Sequence, residues 1–427
     1  MSTQRLKILC VSQMPASPPR FGAQARMHGL MTQLARHHDL TAVMLVDEEF
    51  DIEECRRAMQ VYCRDVVLLR NPNGRGISKR VLQLRSLTSR RSFERLRVRV
   101  PALQRALDQV LRARRFDIVN LEFSFLGGYN LRQAPPGDRP PALVVDSHNI
   151  DYDLARQYAS AGGLVRRLYA AANWRKLRRE ELATYRDADG VYLCSVADRQ
   201  RLLDEAPGAR TLVIPNAADV EYYQPRATDP SPDGRTVVFF GLLSYFPNVD
   251  GVTHFVQEIW PRIAKEHPKA CLKIIGGQAP RSLQALARPG VELTGFVPDL
   301  RPHLAEAAAV VVPLRLGGGT RLKIVEAMAM GKAIVSTELG AEGIEAVPGR
   351  DLFIKDQPAA FADAVNRLLA DPGLAARIGQ SARRLAAQQY AWSGAARALE
   401  SFYYEIRDGS PRELQSEPDW RGSTSVA

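Results

Sequence analysis

Short apolar runs alternate with helical stretches through the first 215 residues. LKILCVS (6–12) precedes a proline-rich loop, the helical stretch GAQARMHGLMTQLARHH (22–38) and the apolar run LTAVMLV (40–46). This order of strand, helix and strand is typical of the βαβ unit of a parallel sheet. Four further apolar runs continue the series: FDIVNLE (116–122), ALVVD (142–146), GVYLCS (190–195) and TLVIP (211–215). Uninterrupted apolar strands indicate a sheet covered by helices on both faces.

A second series of the same kind begins at residue 236. Its predicted strands are TVVFFG (236–241), CLKIIGG (271–277), VELTG (291–295), AVVVP (309–313), AIVST (333–337) and DLFI (351–354). Helices are predicted over 251–266, 357–370, 373–389 and 392–407. The fold class is therefore α/β, with two Rossmann-like, doubly wound parallel sheets whose carboxyl ends face a ligand-binding cleft.

The polar segments between and after these series predict the domain boundaries. Residues 216–235 carry three prolines and no apolar periodicity, so they are predicted to link an N-terminal domain (1–215) to a C-terminal domain (236–390). We expect the helix at 391–408 to pack back on the N-terminal domain. The polar tail, 409–427, is predicted to be disordered.

Composition adds one asymmetry to this picture. The 427 residues carry a net charge of +11, with ordinary hydrophobic (45%) and charged (25%) content. Residues 1–225 hold 35 Lys and Arg against 25 Asp and Glu, and the remainder is nearly neutral. Much of the excess lies in 75–115, where arginines interleave with leucines. This segment fits either a solvated pair of amphipathic helices or a face for anionic lipid headgroups. It lacks the zinc-ligand spacing and stacking aromatics of nucleic-acid modules, so no nucleic-acid partner is expected.

The cysteines and the N-terminus bear on the compartment. Five scattered cysteines without CxxC spacing argue against a disulfide framework or a zinc site and favour a reducing compartment. No signal-peptide pattern and no run of 18 apolar residues occurs. We expect a cytoplasmic protein, with peripheral association at the inner face of the membrane as an open alternative.

Candidate chemistry concentrates in PLRLGGGTRLKIVEAMAMGKAIVST (313–337). Glycines 317–319 lie between a predicted strand and a predicted helix, where backbone N–H groups and a helix N-terminus attract a phosphate. Arg321 and Lys323 are expected in the first turn, which disfavours cations unless an anion binds there. Glu326 either pairs with Lys323 along the helix or accepts the hydroxyls of a ribose.

Three more loops place glycine or polar residues directly after predicted strands. They are Gly241 with Leu242 and Ser244, then Gly276 with Gly277, and GFVPD (295–299). One such loop is weak evidence, because glycine often ends a strand for steric reasons. Four in one domain indicate a ligand site.

These motifs resemble those of the retaining GT-B glycosyltransferases of the family 4 and group 1 type. IPNAADVEYYQP (214–225) is similar to the family's PNGVD linker motif, and SVADR (195–199) to its S-x-x-x-R/K helix start. GLLSYFPNVDGVTHF and GFVPDLRPHLAEA resemble a subgroup of sugar transferases in polysaccharide biosynthesis. The resemblance implies transfer of a sugar from a nucleotide diphosphate sugar to a carbohydrate or lipid-linked acceptor, with retention of configuration.

The resemblance also implies roles for individual residues of the donor site. Glu326 would bind the ribose and Val297 the base through its backbone, while Gly319, Thr320 and Leu322 would lie against the diphosphate. Two departures stand out: Gly318 occupies the place of a family glutamate, and the family's Arg and Lys after Gly241 are replaced by Leu242, Ser244 and Asn248. We therefore expect Arg321 and Lys323 to supply the missing positive charge, with Ser244 and Asn248 also at the donor.

In the first half, PPRFGAQAR (18–26) resembles the family's glycine-rich loop that lies against the donor phosphate or the acceptor, and Gly22 in the glycine position would bind the donor. His148, in VVDSHNIDYD, follows a predicted strand. A single histidine is often structural, but this place favours a role in the cleft, orienting the acceptor or a sugar hydroxyl. Glu122 is a candidate for the acceptor side.

No cofactor and no metal site are expected. Asp151-Tyr-Asp153 and Asp187-Ala-Asp189 match the loose Asp-x-Asp pattern of metal-dependent transferases, but neither directly ends an apolar strand. The first also begins a helix, where acids are favoured. Cations of the protein would then stabilise the leaving diphosphate. The rival functions are a non-catalytic nucleotide-sugar-binding scaffold and a nucleotide-sugar epimerase.

Overall fold

The computed structural model describes residues 4–74, 77–160, 164–226, 234–317 and 320–409. The chain divides into two compact units. Among the described residues, the first runs through Ile214 and also includes those from Ala395 to Gly409, and the second comprises Pro215–Gly394.

The first unit is built on a seven-stranded parallel sheet. Its strands are β1 (Lys7–Ser12), β2 (Asp39–Val46), β3 (Asp65–Arg70), β4 (Ile118–Glu122), β5 (Ala142–Ser147), β6 (Gly190–Leu193) and β7 (Thr211–Val213), in the order β3-β2-β1-β4-β5-β6-β7. The strand order reverses between β1 and β4, so the loops after these two strands adjoin at the carboxyl edge, where ligands of such sheets bind. The edge strand β3 is missing from the predicted series; in the structure its residues, DVVLLR, alternate buried and half-exposed positions.

Eight helices are assigned in the described part of the first unit before β7. They are α1 (Gly22–Leu34), α2 (Ile52–Gln60), α3 (Ile77–Thr88), α4 (Phe93–Arg97), α5 (Pro101–Ala113), α6 (Asp151–Ser160), α7 (Leu164–Asp187) and α8 (Val196–Glu205), with a 3-10 turn at Ser124–Gly128. The arginine-rich segment 75–115 thus forms three helices, of which α5 buries its leucines in the core of the sheet. Residues 75 and 76 lie outside the described part.

The second unit has a six-stranded parallel sheet. Its strands are β8 (Thr236–Phe240), β9 (Cys271–Ile275), β10 (Val291–Gly295), β11 (Ala309–Val312), β12 (Ile334–Ser336) and β13 (Phe353–Ile354), in the order β10-β9-β8-β11-β12-β13. The order reverses between β8 and β11. The loop after Gly241 and the loop at 313–323 are therefore neighbours at the carboxyl edge. Both sheets confirm the predicted α/β class of doubly wound parallel sheets.

The second unit contains the predicted helices, one of them with a different start, and two short helices, Arg281–Gln284 and Arg301–Glu306, that were not predicted. Its helices are α9 (Phe246–His254), α10 (Trp260–Glu266), α11 (Arg281–Gln284), α12 (Arg301–Glu306), α13 (Leu322–Ala329), α14 (Pro358–Ala370) and α15 (Pro372–Gln389), and α16 (Trp392–Arg407) follows them in the chain. The helix predicted at 251–266 begins five residues earlier and contains a π turn at Phe255–Ile259. Its proline at 247 stands in the first turn, which tolerates a missing N–H.

From Ala395 onward, α16 belongs to the first unit. Added to Gly190 of β6, a Cβ would lie 2.4 Å from Ile406 and 2.7 Å from Phe402, so the strand and the helix pack closely there. Tyr403 donates a hydrogen bond to Asn120 of β4.

The predicted linker packs on the second unit where the structure describes it, and Ala217 and Ala218 are buried there. Residues 227–233 of the linker and the predicted tail from 410 lie outside the described residues. All five cysteines are free. None of the described helices is both long and apolar enough to cross a lipid bilayer.

Candidate functional site

Two glycine loops meet at the carboxyl edge of the second sheet. A Cβ at Gly276, after β9, would lie 1.9 Å from the carbonyl oxygen of Gly241, after β8. Gly241 itself has a φ of 147°, a conformation that side chains with a Cβ rarely adopt. The sequence therefore needs glycine at both places to bring the loops into contact.

Lys323 of α13 reaches into this edge. Its ammonium donates a 2.7 Å hydrogen bond to Asn248 Oδ1 and lies 4.1 Å from the centre of the Phe239 ring. A Cβ at Gly241 would lie 2.9 Å from the same nitrogen. Lys323 thus fills the place beside Gly241 where the sequence lacks a basic residue.

Burial lowers the pKa of Lys323 to about 7, and the nearby charge of Arg321 adds to this effect. A bound anion would oppose both causes and would favour the protonated ammonium.

Arg321 lies just before α13 rather than in its first turn. The helix starts at Leu322, and Arg321 is its N-cap with an extended backbone. The expectation that Arg321 stands in the first turn was therefore wrong by one residue. The Arg321 guanidinium lies against Gly317, whose φ is 118°: a Cβ there would be 3.0 Å from Nη2.

Glu326 lies one turn along α13 from Lys323. It forms a hydrogen bond with the hydroxyl of Tyr223, and burial raises its pKa to about 7. The charge of Lys323 opposes this rise. Glu326 therefore takes a partner from the predicted linker, and Lys323 takes Asn248.

A second contact ties the predicted linker to the glycine loop. Asn216 Nδ2 donates a 2.6 Å hydrogen bond to the carbonyl of Thr320, which is buried. Gly318 and Gly319 lie outside the described residues.

The remaining candidates of the second unit line the same edge. Ser244 bonds Gln278 after β9, and Val297 follows β10 through Gly295, whose φ is 82°. Leu322, the first residue of α13, is partly exposed. The structure thus brings Gly241, Ser244, Asn248, Thr320, Lys323 and Glu326 to neighbouring loops of one sheet.

In the first unit, His148 and Glu122 form a buried pair. His148 Nε2 lies 2.8 Å from Glu122 Oε2, while Glu122 Oε1 accepts a 2.8 Å hydrogen bond from Asn120. Burial, with the charge of Asp146, raises the pKa of Glu122 to about 7. Only 2% of Glu122 is exposed, so it reaches a ligand only through His148.

Phe123 covers this pair from the adjoining loop. Its ring stacks on the His148 imidazole with centres 4.1 Å apart and planes 19° from parallel. Its φ of 72° is unusual for an aromatic residue, and such backbone conformations cluster at functional sites.

Arg26 is a site residue that the sequence reasoning missed. Its side chain is fully buried, and the guanidinium forms a bidentate pair with Asp146, with Nε 2.8 Å from Oδ2 and Nη2 3.0 Å from Oδ1. It also donates to the carbonyl of Ile214. The loop PPRFGAQAR (18–26) ends at this arginine, but the sequence does not show that its side chain is buried or which carboxylate it pairs with. Gly22, which was predicted instead, is the exposed first residue of α1.

Glu122, Asp146 and His148 place three potential metal-ligand atoms within 4.8 Å of one another. A cation there would compete with the Arg26 guanidinium for Asp146.

The two Asp-x-Asp pairs have structural contacts. Asp153 pairs with Arg156 at 2.9 Å, and Asp189 pairs with Arg132 and accepts the N–H of Leu143, each at 2.8 Å. These contacts favour the structural interpretation of both pairs.

Two family models match the chain. One, described as "Glycosyltransferase Family 4", matches residues 22–222, and another, described as "Glycosyl transferases group 1", matches residues 234–371. A glycogen synthase of Mycobacterium tuberculosis is 27% identical over 271 residues, which is 60% of this chain and 61% of the relative. The chain thus spans about three fifths of the length of that curated relative.

Solved structures show the same fold. A sucrose-phosphate synthase from Thermosynechococcus elongatus superimposes with a TM-score of 0.71 at 18% identity, covering 95% of this chain and all of the other. Anabaena HepE, solved with UDP and glucose, gives a TM-score of 0.65 at 17% identity, covering 94% of this chain and all of HepE. Because both family models describe glycosyltransferases and together they match most of the sequence, this chain belongs to the GT-B glycosyltransferases of the family 4 and group 1 type.

Proposed function

We propose that the protein transfers a sugar from a nucleotide diphosphate sugar to a carbohydrate or lipid-linked acceptor. The observation that carries the proposal is the position of Lys323, which stands beside Gly241 at the point where the strand order of the second sheet reverses. Glu326 lies one helical turn further on. In this arrangement the Lys323 ammonium would bind the diphosphate of a nucleotide, and the Glu326 carboxylate would accept the hydroxyls of the attached ribose.

Lys323 and Arg321 act on the leaving group in this proposal. Negative charge grows on the diphosphate as the bond to the sugar breaks, so a nearby ammonium and guanidinium stabilise the transition state more than the ground state. Asn248 holds the Lys323 ammonium in place. Gly241, Ser244, Thr320, Leu322 and Gly319 would line the donor, with Val297 at the base.

The first unit supplies the acceptor side. His148 contacts the acceptor or a sugar hydroxyl, and Glu122 orients its ring through the 2.8 Å contact. We propose retention of configuration by substitution on one face of the sugar. The bond from the anomeric carbon to the phosphate oxygen breaks, the acceptor oxygen forms the new bond, and the acceptor proton passes to the leaving phosphate.

We further propose that transfer needs no metal and serves polysaccharide biosynthesis. The cations at 321 and 323 support the first statement, and the resemblance of 241–255 and 295–307 to the polysaccharide subgroup supports the second. Activity that survives exhaustive chelation would agree with metal independence, whereas activity restored only by a divalent cation would contradict it.

A binding and turnover assay tests the function. UDP and UDP-glucose are the first probes, because HepE was solved with UDP and glucose, followed by a panel of other nucleotide sugars in thermal shift. Release of the nucleoside diphosphate only with an acceptor, and a product of unchanged anomeric configuration by NMR, is the expected result. Epimerised donor without acceptor would indicate the epimerase, and saturable binding without turnover would indicate the scaffold.

A further inference from the structure

Helix α3 carries apolar residues on its outward side. Its inward side is formed by Leu82 and Ser86, and the Ser86 hydroxyl bonds the Tyr169 hydroxyl of α7 at 2.9 Å. Nine large apolar side chains are exposed among the described residues, and three of them lie on this short helix: Val81 (54%), Leu84 (68%) and Leu87 (52%). A solvated helix normally presents polar residues on such a face.

Positive charge surrounds these apolar residues. The helix sequence, ISKRVLQLRSLT, has three cationic residues and no acidic residue, and Arg80 and Arg85 are exposed. On neighbouring α7, Leu168 is 64% exposed, and Arg167, Arg175 and Arg179 are exposed as well. The surface formed by Arg80, Val81, Leu84, Arg85, Leu87 and Leu168 is called the α3 face below.

The acidic residues of α7 do not neutralise this charge at the surface. Glu180 is buried and accepts hydrogen bonds from the N–H and hydroxyl of Ser92. Glu181 is buried and accepts the N–H groups of Asp151 and Tyr152 at the start of α6. The third acidic residue of α7, Asp187, is exposed but stands at the far end of the helix, 19 residues from Leu168, where it lies 3.9 Å from Arg132. The α3 face therefore presents arginines and leucines together, without an opposing carboxylate from α3 or from the part of α7 around Leu168.

We propose that the α3 face docks on an anionic lipid surface. Exposed leucines enter the boundary between headgroups and acyl chains, and the arginines bind lipid phosphates, as in amphipathic helices that lie in a membrane interface. Charge complementarity selects this occupant over a second copy of the chain, because two α3 faces would oppose arginine to arginine. Within the arginine-rich segment 75–115, α5 is excluded as the lipid-binding helix, because its leucines are buried in the core of the sheet.

Vesicle flotation of the full chain tests this docking. We expect co-flotation with vesicles of phosphatidylcholine and phosphatidylglycerol at low salt and weak binding to phosphatidylcholine alone. High salt reduces the binding, because it screens exposed charges. Two variants target the face: Val81→Gln with Leu84→Gln and Leu87→Gln, and Arg80→Glu with Arg85→Glu. Each should lower the partition coefficient roughly tenfold or more.

Matched controls make the same changes elsewhere. Val61, Val196 and Val347 are exposed valines for the glutamine substitutions, and Arg262 and Arg397 are exposed arginines for the charge reversal. These controls should bind like the wild type. Glutamine is a good helix former, so the substitutions should leave α3 helical. Circular dichroism and thermal unfolding check that the variants keep the wild-type fold.

Three results would overturn the proposal. The first is wild-type protein that stays at the bottom of the gradient with anionic vesicles at low salt. The second is binding that both α3-face variants retain. The third is a wild-type dimer in light scattering that the glutamine variant converts to a monomer, together with unchanged vesicle binding, because that would assign the face to a second copy.

Discussion

The ammonium of Lys323 and the side-chain oxygen of Asn248 are joined by a 2.7 Å hydrogen bond across the second sheet's reversal point. The two residues are 75 positions apart, and the bond joins a cation near the start of α13 to an amide of α9. Together they put one positive charge beside Gly241.

Replacing Lys323 by Met should lower kcat by roughly 10²–10³, the loss typical for removing one charge-stabilising donor. Methionine keeps the length of the side chain and its contact with the Phe239 ring. Steady-state kinetics with saturating donor measures the effect, with Lys265→Met as a control, because Lys265 is exposed on α10. Unchanged turnover in the Lys323 variant would remove this residue from the leaving-group site.

Binding of UDP should take up protons above neutral pH. Burial lowers the pKa of Lys323 to about 7, so at pH 8 the free protein holds it mostly neutral. A bound diphosphate raises that pKa and draws a proton onto the ammonium. Calorimetry at pH 8 in buffers of different ionisation enthalpy counts the protons.

The same calorimetry distinguishes protons taken up by Lys323 from protons released by Glu326. The pKa of Glu326 is raised to about 7, so at pH 8 this carboxyl is mostly ionised and releases few protons on binding. Below pH 7 it is mostly protonated, and ribose hydroxyls that bond the carboxylate would drive proton release. We expect Lys323→Met to abolish the uptake at pH 8 and Glu326→Gln to reduce the release at pH 6, where the terminal phosphate of UDP also releases protons. Uptake that persists without Lys323 would contradict the assignment.

Tyr223→Phe should weaken UDP binding by about three- to tenfold. The substitution removes the hydroxyl that bonds Glu326 and keeps the ring, so the carboxylate loses a hydrogen bond of the kind worth about 1 kcal/mol. Tyr222→Phe is the matched control, because the neighbouring hydroxyl has only a 3.4 Å contact with Asp299. Equal losses in both variants would indicate a general effect on this segment rather than a role at Glu326.

The strands and the long C-terminal helices could be predicted from the sequence, because apolar runs and 3.6-residue periodicity are local signals. Helices α14 and α15 begin within one residue of their predicted starts. Of the site, Lys323, Glu326, His148 and Asn248 could be named from motifs. Their partners could not. Tyr223 and Asn216 stand in a stretch without periodicity, and the pairing of Arg26 with Asp146 joins residues 120 positions apart.

Gly276→Ala should destabilise the second unit and abolish UDP binding. The new Cβ would lie 1.9 Å from the Gly241 carbonyl oxygen, so the loop after β8 must move away from Lys323 and Asn248. Overpacking of this kind costs about 1–3 kcal/mol of unfolding free energy. Gly277→Ala is the adjacent control, since its Cβ meets only Phe296 Cβ at 3.5 Å, an ordinary contact. Urea unfolding and calorimetry with UDP should separate the two variants; equal affinity for UDP in both would show that the contact between the two loops does not shape the donor site.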